Sequence, residues 1–414
     1  MGTLNKIAYL TGEYPRATDT FIQREVAALR ALGREVLTCS IRQTGPEHHV
    51  GPEQRAEAAK TFHVLKTAKS PLHLLRCHWR FLSRAPGRYY ATLKLAFGTN
   101  PGGVKNTLYQ LFYFAEAAVL GAHLQDQQVT HLHNHIAKSS CSVAMLMSEM
   151  TGIPFSFTLH GPDIFFAPGH WRLDKKIEKA KFVACISHFC RSQAMSFSAP
   201  DHWSKLHIVH CGVAPERYDN NEVPDDDSLL FVGRLAAVKG LPILFDALVD
   251  VPAAHLTVVG DGPDREALQM QTRDLGISDR VDFVGYKSQD EVANYLKSHK
   301  VFVLPSFAEG VPVVLMEAMA SARAVITTKI AGVPELVEQD VSGKLVSPGD
   351  VKGLSGAITQ LLVDGKLCAA MGNAGKAKVA KSFDVSKEAA WLSELFDGYA
   401  ANDVPNGLRP EIDA

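Results

Sequence analysis

Residues 301 to 321 read Val301-Phe-Val-Leu-Pro305-Ser-Phe-Ala-Glu-Gly310-Val-Pro-Val-Val-Leu315-Met-Glu-Ala-Met-Ala320-Ser. Val301 to Leu304 is a short, wholly apolar run closed by Pro305 and Ser306. That is the pattern of a strand buried on both faces, as in a parallel sheet. Phe307 to Val311 reads as a loop. Pro312 suits the first helical position, where a missing N–H costs nothing. Val313, Leu315, Met316 and Ala320 supply the helix with a buried side. The order is strand, tight loop, helix N-terminus. In open α/β sheets, ligands bind at the carboxyl ends of strands, where helix N-termini aim N–H groups at anions.

Two carboxylates stand in this stretch. Glu309 falls in the loop, and Glu317 in the second turn of the helix, amid apolar neighbours. A solvated glutamate would lie on a polar stripe, so Glu317 is expected to meet a polar partner. Two carboxylates so placed can accept hydrogen bonds from sugar hydroxyls. On pattern alone, a plain loop glutamate and a plain helix-surface glutamate explain them better.

The wider stretch adds a resemblance. Glu309 and Glu317, eight positions apart within Ser306 to Ala320, resemble the E-x7-E signature of retaining glycosyltransferases of family 4. Ala324-Val-Ile-Thr-Thr328, Gly332-Val-Pro-Glu-Leu-Val337 and Ser342-Gly-Lys-Leu-Val346 continue it in order. The relatives that the chain looks most like serve bacterial exopolysaccharide and colanic-acid-type biosynthesis. The resemblance implies the GT-B architecture: two Rossmann-like domains with parallel sheets facing one another across a cleft.

Composition is compatible with that. At 414 residues the chain is long enough for two domains of ordinary size. A formal net charge of −1 argues against a dedicated nucleic-acid binder. No apolar run reaches membrane-spanning length. The first dozen residues hold one short apolar run, Ile7 to Leu10, and no secretory signal. The seven cysteines are scattered without a C-x-x-C, so neither a zinc site nor a disulfide framework is suggested. Cytoplasm is the expected compartment.

Taken in order, Lys6 to Leu10 reads as a first strand and Thr11 to Asp19 as a loop holding Gly12. Thr20-Phe-Ile-Gln23 has the form of a capping box. The helix it opens carries Phe21, Val26, Leu29 and Leu32, and ends at Gly33. Glu35 to Ile41 is the next strand. No G-x-G-x-x-G occurs, so a dinucleotide reading is weak. By the resemblance Gly12 approaches the donor diphosphate or the acceptor; a turn glycine explains it equally well.

Residues 45 to 125 read as a helical, basic insertion. From 61 to 94 there are seven Lys and Arg and no Asp or Glu. Arg76, Arg80 and Arg84 share one helix stripe, and Leu72, Leu75, Trp79 and Leu82 make an apolar one. Such a helix suits an anionic membrane surface at the inner face of the plasma membrane. A helix packed on its own domain with a solvated basic face explains the pattern somewhat better. Tyr109 to Phe114 reads as core.

His131, His133 and His135 tempt a metal reading, but no neighbouring Asp, Glu or Cys completes a set, and no metal is expected. Pro154 to Leu159 is a strand, and His160-Gly-Pro-Asp163 follows it. By the resemblance His160 faces the reacting sugar; without it, His160 would be a turn-capping residue. Asp163 reads as a cap of the following loop. Cys211-Gly-Val213 matches the family's crossover between domains, and the polar linker to Asp227 reads as a hinge. Asp225-Asp-Asp227 formally contains a D-x-D, read here as solvated loop.

The second half restarts the alternation. Leu229 to Val232 is a strand, and Gly233-Arg-Leu-Ala-Ala-Val-Lys-Gly240 opens a helix. Arg234 and Lys239 beside helix N–H groups make a phosphate cradle that needs no metal. The block resembles the family's G-R-L-x-x-x-K-G diphosphate site. Gly285-Tyr-Lys287 follows a strand where family members grip the nucleobase. The expected division is a first domain over 1–211, a second over 212–384, a helix over 385–400 crossing back onto the first, and a loose tail over 401–414.

The resemblance implies retaining, metal-independent transfer of a sugar from a UDP- or GDP-linked donor to a glycan or lipid-linked acceptor. It assigns the leaving diphosphate to Gly233, Arg234 and Lys239. Donor-sugar hydroxyls go to Glu309, phosphate contacts to the N–H groups of Gly310 and Val311, and ribose hydroxyls to Glu317. Glu309 is not expected to be a covalent nucleophile. A different GT-B enzyme such as a nucleotide-sugar epimerase, or a non-catalytic scaffold, stays open.

Overall fold

The computed structural model describes residues 6–16, 19–49, 51–218, 222–405 and 407–410. Short apolar runs closed by turns become strands. In the first half these are β1 (Lys6–Glu13), β2 (Glu35–Arg42), β3 (Phe62–His63), β4 (His131–His135), β5 (Phe155–Leu159), β6 (Val183–Cys185) and β7 (Leu206–Ile208). In the second half they are β8 (Ser228–Val232), β9 (His255–Val259), β10 (Val281–Gly285), β11 (Val301–Leu304), β12 (Ala324–Thr328) and β13 (Gly343–Val346).

The strands form two sheets. One has the order β3-β2-β1-β4-β5-β6-β7, the other β10-β9-β8-β11-β12-β13. Every pairing between these strands is parallel. Each order reverses direction once, between β1 and β4 in the first sheet and between β8 and β11 in the second. Such switch points open a crevice at the carboxyl ends of the strands.

Contacts divide the chain into two units. The first is Met1–His210 with Glu388–Glu411, and the second is built on Cys211–Lys387. The last helix, Val385–Ala401, joins the core of the first unit. Its Ala389, Trp391, Leu392, Leu395 and Phe396 are buried with Ile7, Tyr9, Ile22, Val26 and Leu29. The Trp391 indole donates to the Ile208 carbonyl at 2.9 Å. In the second unit the two segments flanking this excursion run side by side. Val213 N–H donates to Phe383 O and Val385 N–H to Val213 O, both at 2.9 Å. A Cβ on Gly212 would stand 2.5 Å from the Val385 backbone, so only glycine permits the approach.

Several local expectations change. β1 runs through Gly12 to Glu13, so Gly12 lies in a strand and not in a loop. Asp19, not Thr20, caps the first helix, and no side-chain cap bond forms there. Gln23 instead donates to Arg16 O at 2.9 Å. The basic 61–94 stretch is not one helix. It breaks into β3 and the helices Val64–Ala68, Pro71–Arg84 and Pro86–Gly98, with a proline opening each of the last two.

On the Pro71–Arg84 helix, Cys77 and Phe81 face the domain. Leu72, Leu75 and Trp79 are 69%, 65% and 69% exposed. The apolar stripe therefore does not pack on its own domain. Tyr109, Leu111 and Phe112 are likewise exposed; within that run Phe114 is core. The hydrophobic surface of this insertion exceeds what its neighbours cover.

The tail is tied down as far as it is described. Leu408 O accepts from Ile208 N–H at 2.9 Å. Arg409 bonds the buried Glu388 through both terminal nitrogens, Nη1 at 2.6 Å. Residues 406 and 411–414 of the expected loose tail, and 219–221 of the expected hinge, lie outside the described residues.

Candidate active site

In the second unit, β8 and β11 are neighbours at the switch point, and the loops at their carboxyl ends carry the expected residues. After β8, a single turn Ala237–Lys239 leads to Gly240, which precedes the helix Leu241–Val249. Gly240 has φ +68°, and a Cβ there would stand 2.0 Å from Pro305 O. Gly260 has φ +135°, and its Cβ would stand 1.9 Å from Gly233 O. Glycine at both positions lets three loops close on one another. Phe307 N–H donates to Val238 O at 2.8 Å, fastening the loop after β11 to the turn after β8.

This docking brings Lys239 Nζ to 2.6 Å from Glu309 Oε1, and both side chains are mostly buried. Residues seventy apart in sequence thus form one ion pair. Arg234 is exposed and has no ion-pair partner among the described residues. Val311 is buried, and Gly310 O accepts from Gly332 N–H at 3.2 Å. Pro312 caps the helix Val313–Ala320 rather than occupying its first position.

Glu317 is 8% exposed within that helix. Its expected polar partner is the Tyr218 hydroxyl, which donates to Oε1 at 2.8 Å. Tyr218 belongs to the short turn Pro215–Tyr218 in the linker, and is itself buried. Sequence reading missed it, because a lone tyrosine in a polar linker has no periodic signal.

Gly285 ends β10 with φ +76°. Tyr286 is about half exposed, partial burial pushes its phenol up from the usual range, and Lys287 pairs with Glu291 at 3.4 Å. Asp226 of the D-x-D accepts from the N–H of Ser228 at 3.0 Å, an exposed turn bond.

In the first unit the switch point lies between β1 and β4. β4 continues through His135, so alternation puts His131, His133 and His135 on one face. All three are buried. His131 Nε2 meets Ser156 Oγ at 2.7 Å, and His133 meets Ser156 Oγ and Thr158 Oγ1, both at 2.8 Å. The reason given against a metal does not hold, because Glu25 from the first helix joins the set. Its carboxylate and ring nitrogens of His133 and His135 lie within 4.8 Å of one another. Those nitrogens are nonetheless already in use. His135 Nε2 donates to Glu25 at 2.9 Å, and its Nδ1 lies 3.0 Å from Nε2 of His160. The residues present fit a hydrogen-bonded network better than a metal site.

His160 follows β5 and is partly exposed. Burial, and then His135 beside it, hold its ring well below the usual histidine range. Asp163 caps nothing; it pairs with Lys138 at 2.8 Å. A Cβ on Gly12 would meet nothing within 4 Å, so packing does not require glycine there.

Known proteins share this fold. Residues 81–217 match the family described as Glycosyltransferase Family 4, and residues 214–378 match Glycosyl transferases group 1. WcaL of Salmonella typhimurium, named for colanic acid biosynthesis, is 26% identical over 408 residues, covering 92% of this chain and 96% of its own. TuaC of Bacillus subtilis, named for teichuronic acid biosynthesis, is 30% identical over 247 residues, 55% of this chain. That match spans 60% of TuaC, under two thirds of its length. HepE of Anabaena, solved in complex with UDP, superposes with a TM-score of 0.73 at 18% identity, covering 94% of this chain and 98% of that one. The fold is the two-Rossmann GT-B type. Residues 81–378 thus hold, in succession, a Glycosyltransferase Family 4 segment and a Glycosyl transferases group 1 domain.

Proposed function

We propose that the protein transfers a sugar, with retention and without a divalent metal, from a UDP- or GDP-linked donor to a glycan or lipid-linked acceptor in polysaccharide biosynthesis. The observation that carries this is the Lys239–Glu309 pair, held where the sheet order reverses and beside two helix N-termini. The names of WcaL and TuaC, and the UDP bound by HepE, support it.

The difficult step is departure of a nucleoside diphosphate. Arg234, Lys239 and the N–H groups that start the Leu241–Val249 helix stabilise the charge that develops on the leaving oxygens. Fixed cations here do what a divalent metal would otherwise do. Glu309 accepts from hydroxyls of the donor sugar, and the N–H groups of Gly310 and Val311 face the phosphates. Glu317, oriented by Tyr218, takes the ribose hydroxyls. Gly233, Gly285, Tyr286 and Lys287 lie along the nucleotide, and Gly12 approaches the diphosphate or the acceptor. His160 orients the reacting sugar or supports its developing positive charge through the backbone carbonyl. The leaving phosphate takes the acceptor's proton on the same face of the sugar. Glu309 is not a covalent nucleophile on this reading.

A second part of the reading concerns location. Leu72, Leu75 and Trp79 stand exposed beside Arg76 and Arg84, in a stretch without acidic residues. No helix among the described residues is long and apolar enough to cross a membrane. Peripheral attachment to an anionic bilayer, at the cytoplasmic face, is the contact this surface suits.

A thermal-shift series with UDP, GDP, ADP and their sugars, run with and without EDTA, tests the main reading. A nucleotide at a hundred times its dissociation constant adds about 2.7 kcal/mol. At roughly 2–4 °C per kcal/mol for units of this size, the midpoint rises by several degrees. One base is expected to shift it, and Arg234→Ala to abolish the shift. No response to any nucleotide, or a response lost in EDTA, would sink the reading.

A further inference from the structure

In the first turns of the helix Val104–Asp126, Asn106, Gln110 and Tyr113 recur at helical spacing, with Tyr109 one turn before Tyr113. They line an open crevice of about 380 Å³, counted out to its mouth. Ser142 of the helix Ser139–Thr151 and the turn Trp171-Arg172 form other parts of its wall. All of these residues belong to the first unit, and none is among those assigned above to the donor.

The Tyr109 and Tyr113 rings are nearly parallel, 13° apart, with centroids separated by 6.3 Å. Tyr109 is 42% exposed, so its ring is open to a ligand. The hydroxyls of Tyr109, Tyr113 and Ser142 and the indole N–H of Trp171 have no hydrogen-bond partner among the described residues. Gln110 is buried, yet its amide reaches Thr99 only at 3.5 Å. Folding has thus gathered aromatic surface and unspent hydroxyl and N–H groups in one place, where buried polar groups are ordinarily satisfied.

The permanently charged member of the lining is already committed. Arg172 bonds both carboxylate oxygens of Asp174, at 3.0 and 2.8 Å, and the Gly98 carbonyl at 2.8 Å. Its backbone is held at φ +48°, in the left-handed region that a large side chain seldom adopts. Backbone strain of that kind clusters at binding sites.

A ligand suited to this crevice has many hydroxyls, C–H faces that lie against aromatic rings, and no net charge. A phosphate or carboxylate would find no unpaired cation in the lining. A hydrocarbon chain would leave the hydroxyls and the indole N–H without partners. A pyranose meets all three requirements. We propose that the crevice is a saccharide-binding subsite, taking an uncharged sugar unit of the glycan acceptor other than the unit that reacts. The link to an acceptor rests on the transfer reading above; the binding of sugar does not.

Saturation-transfer NMR on the full chain tests it, with the methyl glycosides of glucose, galactose, mannose and N-acetylglucosamine as probes. At least one should bind saturably, and should change the tryptophan fluorescence of the wild type but not that of Trp171→Phe. Tyr109→Ala and Asn106→Ala, one at an exposed and one at a half-buried position, should weaken that binding by about tenfold. Their melting midpoints and nucleotide shifts should match the wild type, which separates lost binding from lost folding. Inorganic phosphate should not displace the glycoside. Binding of none of the four, displacement by phosphate, or equal binding by both alanine variants and the wild type overturns the proposal. Glycoside binding without any nucleotide response removes the transfer reading and leaves the crevice. A nucleotide response without glycoside binding removes the crevice alone.

Discussion

Lys239 and Glu309 form a single ion pair. Each neutralises the other in a mostly buried place, where an unpaired charge is costly. On the proposed reading, a diphosphate entering the loop after β8 competes with Glu309 for Lys239. Removing the carboxylate should therefore separate binding from chemistry. Glu309→Gln is expected to bind free UDP or GDP at least as tightly as the wild type, yet transfer sugar at least tenfold more slowly. Lys239→Ala should lose about 1.5–3 kcal/mol of nucleotide affinity, the range for a hydrogen bond to a charged group. Calorimetric titration reads both, and tighter binding by Lys239→Ala would contradict the cradle. At this scale the sequence was uneven. Both glutamates, Arg234, Lys239 and His160 could be singled out as candidates, because a motif in one segment can be matched to a family. Tyr218 and Glu25 were not, because their partners lie 99 and 110 positions away.

The helix Pro71–Arg84 shows what an element's periodicity does and does not contain. Its apolar and basic stripes are real, but the pattern does not say which stripe meets the domain. The structure buries Cys77 and Phe81 and leaves Leu72, Leu75 and Trp79 in the open. Phe81→Ala should accordingly cost about 3–5 kcal/mol of stability by leaving a cavity. Trp79→Ala should stay within about 0.5 kcal/mol, as for other exposed sites. The same Trp79→Ala, combined with Leu75→Ala, should release the protein from anionic vesicles in a flotation assay. So should high salt, if Arg76 and Arg84 contribute. Retention of the double variant on vesicles, or no binding by the wild type, would remove the membrane reading.

Over the whole molecule, buried titratable groups set how stability responds to pH. Burial drives His131 down to about 3 and His207 to about 4, and holds His133 well below the usual range. The unfolded chain takes up these protons below 6.5, while the native protein stays neutral. Their contribution is therefore present above 6.5 and is lost as pH falls toward the folded values, by at most about 1.4 kcal/mol per unit for each group. Glu116 acts in the opposite sense. Burial lifts it from 4.5 to about 7, and its Oε2 has no hydrogen-bond partner. Its protonated form stabilises the fold below 4.5, and that contribution is lost as pH rises through about 7. Urea melts at about pH 4, 6 and 8 should show stability falling with acid, more steeply once Glu116 no longer compensates. Glu116→Gln should gain up to about 3 kcal/mol at pH 8 and almost nothing at pH 4. An equal gain at both would show that Glu116 is not buried as a carboxylate.

The sequence by itself determined the alternation of strand and helix, the parallel character of both sheets and the blocks that name the family. These are local properties: an apolar run, a glycine turn and a helix start are each written within about ten residues. Tertiary structure alone decided what meets what. It placed Glu25 against His135, Tyr218 against Glu317, Arg409 against Glu388, and the Trp79 stripe toward solvent. Each of these depends on which loops the sheet order brings together at its switch points and edges. A chain read one segment at a time holds no record of that order.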